Sequence, residues 1–541
     1  MSVRRRTAVV TTLAALVLAS GTVGAAAQTP ATALLTETPP VLTWAACGTT
    51  PEGTAAGVEC ATADLPMDYD DPAAGRVQIA VARVPATDQA NRIGSLFLNF
   101  GGPGAPTAQV LQARGAELFP ALSARFDIVG FDPRGVGQSV PAIACRVDHV
   151  TESFWAHPFP DSPFDADPAA VLARAQRYID ACLAANGEIL EHVSTANVAR
   201  DMDALRAGLG EEQLTYLGFS YGTFLGATYA SLFPDRYRAM VLDSALDPDA
   251  YVNDPVGVAT AQLASFERVL DRFAGACAAD QAACSGFGGS DPLAAFDALL
   301  ARADAAPIPA PGFEANPEPV SDDVILDVTQ TLLYAKRLWG LLAAALAQAD
   351  AGDASTLRAL FDLVVYPEGP DGSDDPGDDR FVAISASEQQ WPRDVDGYFR
   401  RAAHEWAAFP HFWASGAFAE VGLAMWPVRD ADAFHGPFDV PPTSPTPLVV
   451  ATTYDPATPY AGALGLVDEL GNARLLTMEG DGHGAYGQNS ACVNSVTEAY
   501  LSDLTLPAVG TVCRQDVVIT APTPVPASTS AATALTLLPG R

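Results

Sequence analysis

From residue 94 the chain carries short, uninterrupted apolar runs closed by glycine or proline. They are GSLFLNFGGPG (94–104), FDIVGFDPRGVGQS (126–139), LTYLGF (214–219) and RAMVLDSAL (238–246). Such runs read as strands buried on both faces, the signature of a parallel sheet. TANVARDMDALRAGLG (195–210) lies between two of them and repeats its apolar residues at helical spacing up to a terminal glycine. Strand–helix–strand alternation predicts an α/β sheet with helices on both faces. Past residue 250 the pattern changes to mostly helical periodicity, as in VILDVTQTLLYAKRLWGLLAAALAQA (324–349). PLVVATTYDPATPY (447–460) and ARLLTMEGDGHGAYG (473–487) then restore the strand pattern. One α/β domain interrupted by a helical insertion is the expected architecture.

The ends of the chain read differently. Residues 1–27 combine a basic start (MSVRRR), an apolar stretch and a small-residue AAA at 25–27, the arrangement of a signal peptide cleaved before Gln28. The apolar stretch is short for a membrane span, no other is long and uncharged enough, and no cysteine follows to take a lipid. Export in soluble form is expected, by a route the two arginines do not decide. The resulting division is a Thr/Pro-rich segment at 28–43, a first core part at 44–250, a helical cap at 251–430, a second core part at 431–513 and a Pro/Thr/Ala-rich tail at 514–541. An acidic break, YPEGPDGSDDPGDDR (366–380), lacks calcium-loop spacing and reads as a solvated loop.

Composition narrows the function. With 30 basic and 64 acidic residues, net charge −34 and a single lysine, Lys336, the surface should repel nucleic acid and anionic membranes. The eight cysteines, Cys47, Cys60, Cys145, Cys182, Cys277, Cys284, Cys492 and Cys513, form no C-x-x-C pair. That spacing argues for structural disulfides over zinc or redox chemistry, and on the order of 100 pairings are open.

Candidate chemistry sits where strands end. GFSYG (218–222) places Ser220 on a strand-to-helix turn between two glycines, the form of a nucleophile elbow. A serine needs a base and a carboxylate that orients it. Asp455 follows one late apolar run and His483 lies in a glycine-rich loop after the next, in the order Ser, Asp, His of α/β-hydrolases. Asp243 and Asp481 are rival carboxylates. His404 and His411 fall in the insertion without metal-binding spacing and read as packing or surface residues. NFGGPG (99–104) can aim backbone N–H groups at a carbonyl, so Gly101, Gly102 and Tyr221 are the expected oxyanion-hole donors. No metal or cofactor is called for.

Taken together, GGPG, FDPRGVGQS, GFSYGT, YDPATPYAGA and GDGHG resemble the secreted actinobacterial tripeptidyl aminopeptidases, prolyl-aminopeptidase-like α/β-hydrolases, over roughly residues 40–515. The resemblance implies the α/β-hydrolase fold, with Ser220 as nucleophile, Asp455 as acid and His483 as base. It also implies release of short peptides, tripeptides first, from free N-termini, under a helical cap. The expected partners are peptides with a free N-terminus, and the chain is taken as a monomer. Ala386 and Ala424 stand where the family often has a cysteine pair, so the eight remaining cysteines can all pair. With export and the even count, this suggests Cys47–Cys60, Cys145–Cys182, Cys277–Cys284 and Cys492–Cys513. Glu388 stands where the family keeps aspartate and is the candidate for the substrate's ammonium. A carboxylesterase of the same fold, or a non-catalytic peptide-binding protein, are the alternatives.

Overall fold

The computed structural model describes residues 38–48, 54–366, 377–487 and 489–522. The expected signal peptide (1–27) lies outside the described residues, as do 28–37 of the N-terminal segment and the tail beyond 522. Ten strands form one sheet: β1 (Ala45–Ala46), β2 (Glu59–Pro66), β3 (Arg76–Val84), β4 (Gly94–Asn99), β5 (Phe126–Phe131), β6 (Leu214–Phe219), β7 (Tyr237–Asp243), β8 (Leu448–Tyr454), β9 (Arg474–Asp481) and β10 (Val512–Arg514). Their spatial order is β1-β2-β3-β5-β4-β6-β7-β8-β9-β10. From β5 to β10 every pairing is parallel, and the expected runs become β4 to β9. Every residue of β4, β5 and β6 is buried, because helices cover both sheet faces and leave no wet side for polar residues.

The β2–β3 hairpin, antiparallel at the sheet's edge, has no counterpart in the sequence reading. Its signal is the alternation of RVQIAVARV, whose one face is buried and whose other is wetter.

The insertion divides between two cores. Side chains from Phe266 to Val364, with Phe412, pack among themselves. Side chains from Val382 to Trp426 pack instead with the helices on one face of the sheet. The cap expected as one unit is thus a separately packed part followed by a part fused to the core. Asp148, Asp167, Asp247, Asp254 and Asp291 each cap a helix N-terminus by accepting a backbone N–H, so part of the chain's acidity is structural, worth about 1 kcal/mol per cap.

The helical pattern at 324–349 is carried by two helices, Asp322–Leu333 and Trp339–Asp350, parted by a turn. One expectation needs correction. Residues 377–380, the end of the expected solvated loop, open a helix that runs from Gly377 to Glu388. Asp379 is buried there, accepting from the Cys145 N–H (2.6 Å) and the Tyr178 hydroxyl (2.6 Å) and lying 3.0 Å from His149 Nε2. Residues 367–376 lie outside the described residues. The four disulfides join the cysteines in the expected pairs.

Candidate active site

Ser220 stands between β6 and the helix Tyr221–Leu232, with φ 55° and ψ −126°. That conformation is rare for a residue with a side chain and marks a strained turn. Close packing makes the flanking glycines necessary. A Cβ on Gly218 would come within 2.5 Å of the Gly222 carbonyl, and one on Gly222 within 2.8 Å of Asn99 Oδ1. As the first helical residue, Tyr221 has an N–H without an intrahelical acceptor, beside the serine and at the positive end of the helix.

Opposite lies the turn after β4. Gly101 approaches so closely that a Cβ there would lie 2.8 Å from Ser220 Cβ. Its N–H, however, donates to Asn99 Oδ1 at 2.9 Å. Gly101 is therefore not a free donor, contrary to expectation, and its role is close approach. Gly102 N–H has no acceptor among the described residues, and with Tyr221 N–H it forms the candidate oxyanion hole.

His483 and Asp455 meet across the ends of β8 and β9. His483 Nδ1 lies 2.9 Å and 3.0 Å from the two Asp455 oxygens. A ring nitrogen facing a carboxylate carries the proton, which leaves Nε2 with its lone pair. Asp455 is fixed by the N–H groups of Ala457 and Thr458, both at 2.9 Å, and by the Thr458 hydroxyl at 3.0 Å. The same hydroxyl is 3.2 Å from His483 Nδ1. Sequence reasoning passed over Thr458, although its place three residues after Asp455 was the available signal. Burial would push the imidazole's pKa down, but the charge and hydrogen bond of Asp455 outweigh it and hold His483 above the usual histidine value.

The rival carboxylates have other work. Asp243 accepts from the N–H groups of Ala485 (3.0 Å) and Tyr486 (2.7 Å), while Ser244 Oγ accepts from Gly484 N–H at 2.7 Å. Because Ser220 N–H donates to the Asp243 carbonyl (3.0 Å), this one residue braces the serine turn and the histidine loop together. Burial drives the Asp243 carboxyl up to about 6, against the pull of those N–H groups. Asp481 pairs instead with Arg272 and Lys336 of the cap. His411 lies between Glu267 (2.6 Å) and Asp297 (3.0 Å), tying insertion helices together. Glu388 is only 3% exposed, and its oxygens accept from Thr195 N–H at 2.8 Å and Thr195 Oγ1 at 3.0 Å. That Oγ1 also makes a very short hydrogen bond with the Tyr221 hydroxyl.

Residues 97–288 match the family model described as alpha/beta hydrolase fold, and residues 412–513 match the one described as TAP-like protein. The serine protease Hip1 of Mycobacterium tuberculosis is 35% identical, the alignment covering 84% of this chain and 87% of that protein. The chain belongs to the α/β-hydrolase family. Other members similar to it are a tripeptidyl aminopeptidase of Streptomyces lividans, 31% identical over 82% of this chain and 81% of that one, and carboxylesterase B of Mycobacterium tuberculosis, 33% identical over 84% and 86%. With these relatives, and with a serine elbow at the end of β6 and a histidine–carboxylate pair at the ends of β8 and β9, this α/β-hydrolase is a serine hydrolase.

Proposed function

We propose that the protein is an exported serine exopeptidase that releases short peptides, tripeptides first, from free N-termini. The observation that carries the reading is the His483–Asp455 pair, held at 2.9 Å at the ends of β8 and β9, on the same sheet whose strand β6 ends in the strained Ser220 turn. In this mechanism the lone pair on His483 Nε2 takes the Ser220 proton as Oγ attacks the scissile carbonyl. The resulting oxyanion is met by the N–H groups of Gly102 and Tyr221. His483 then gives its proton to the leaving amine, and water, deprotonated in turn by His483, hydrolyses the acyl-enzyme. Relatives named as a serine protease and a tripeptidyl aminopeptidase support peptides as substrates, and four disulfides support an oxidising compartment. Glu388, the expected reader of the substrate's ammonium, is buried against Thr195 with its carboxyl lifted to about 8, so it could serve only after giving up its proton and exchanging Thr195 for the ammonium.

A carboxylesterase is the second reading, supported by the relative named carboxylesterase B, since elbow and hole serve esters equally well. A panel of aminoacyl, dipeptidyl and tripeptidyl amides beside simple esters separates the two. Tripeptidyl amides should be turned over fastest, acetylation of their N-terminus should cut kcat/KM by at least ~10²-fold, and Ser220→Ala should lose roughly 10³-fold or more in kcat on every substrate. Equal rates on free and acetylated peptides, or esters far ahead of amides, would move the assignment to the esterase.

A further inference from the structure

The insertion touches the acid and base loops directly, along one helix face and one turn. On the helix Pro255–Ala279, Gln262, Ser265 and Arg272 share that face. Gln262 Nε2 donates to the Ala457 carbonyl at 2.8 Å, and Ser265 Oγ donates to the Asp455 carbonyl at 2.6 Å. The Arg272 guanidinium lies 3.5 Å over the ring of Tyr454, the residue before Asp455, and its Nε pairs with Asp481. One cap side chain thus straddles the ends of β8 and β9.

The second contact is the turn that parts the two helices within 324–349. Its Tyr334 carbonyl accepts the His483 N–H at 2.7 Å, and the Tyr334 ring stands edge-on to the imidazole, 5.4 Å between centroids. The approach is close: a Cβ on Gly482 would lie 2.9 Å from that carbonyl. Two residues on, Lys336 Nζ reaches Asp481 at 2.7 Å. Asp481 is 2% exposed and takes both cations, while Gln515 holds its backbone N–H and carbonyl. Neither proline nor glycine lies among residues 334–338, so the helix breaks where its carbonyl and its lysine are spent on the histidine loop.

We propose that this face of the cap is a clamp that holds Asp455 and His483 in register, and that Lys336, Arg272 and Ser265 are positioning residues for the base. The proposal rests on the assignment of His483 as base. Removing the clamp leaves the acid–base pair at the free ends of two strands. A displacement of about 1 Å there costs on the order of 10²-fold in rate without touching substrate contacts.

Steady-state kinetics on a tripeptidyl amide tests the clamp with Lys336→Met, Lys336→Arg, Asp481→Asn and the double variant Lys336→Met/Asp481→Asn. Lys336→Met should lower kcat ~10- to 100-fold with KM within about threefold, and Lys336→Arg should restore most of it. The double variant should be no slower than Asp481→Asn alone, because that change already removes the partner Lys336 would lose, together with that of Arg272. The rate of fluorophosphonate labelling at Ser220 should fall in parallel. The clamp is refuted if Lys336→Met keeps kcat within about twofold, if it changes KM alone, or if Tm falls and Lys336→Arg restores nothing. If the wild-type Ser220 takes no fluorophosphonate, the functional assignment fails. The clamp is then read by hydrogen exchange of residues 481–486, which Lys336→Met should quicken and which unchanged protection would contradict.

Discussion

His483 shows how far a single residue's behaviour follows from its contacts. As a base it must be neutral, and Asp455 holds its pKa above the 6.5 of an ordinary imidazole. The acid limb of kcat/KM should therefore have its midpoint above 6.5, with activity lost as pH falls through it. A limb centred below that value would show that burial, not Asp455, dominates. Glu388 gives the opposite case. Burial lifts its carboxyl from 4.5 to about 8, against the Thr195 hydrogen bonds. A raised pKa means the folded state keeps a proton that the unfolded state releases, so this contribution is full below pH 4.5 and is lost as pH rises toward about 8. Glu388→Gln keeps the neutral shape, so its Tm should exceed that of wild type by about 2 °C or more at pH 8.5 and match it near pH 4.5. A lower Tm at pH 8.5 would show that the fold uses the ionised carboxylate. At this scale the order Ser220, Asp455, His483 was legible because each terminates an apolar run. The engagement of the Gly101 N–H by Asn99 was not, since donor availability depends on how the turn folds back on itself.

Elements were legible where burial is uniform and obscure where contacts across the fold decide. The strands β4 to β9 follow from apolar runs that need no partner to be recognised. The break at 334–338 does not, because local propensity favours one helix and the histidine loop overrides it. The start of the helix at Gly377 was hidden likewise: Asp379 reads as a solvated charge until His149, Tyr178 and the Cys145 N–H surround it. The bridge Cys492–Cys513 ties the helix Ala491–Asp503, shortly after the histidine loop, to the edge strand β10. Replacing both cysteines by serine should lower the unfolding free energy by about 3 kcal/mol, read by denaturant titration. An unchanged midpoint at constant slope would mean the edge strand is held by packing alone.

On the scale of the whole molecule, the α/β core with its helical insertion was readable from the change of periodicity near residue 250. The division of that insertion between two cores was not, since apolar residues at 382–426 look the same whichever neighbour they pack against. The chain's one lysine has a consequence of its own. A protease specific for lysyl bonds has a single place to cut these 541 residues, after Lys336, in a turn pressed between insertion and core. In the native protein that bond becomes a substrate only when the turn lifts away, so the cleavage rate reports how often it does. Lysyl endopeptidase should produce two fragments slowly from wild type, and at least ~10-fold faster from Asp481→Asn, which removes the anion holding the lysine down. Equal rates would mean that undocking is governed elsewhere in the insertion. A chain with a single lysine thus exposes to such proteases only the joint on which its own activity is proposed to depend.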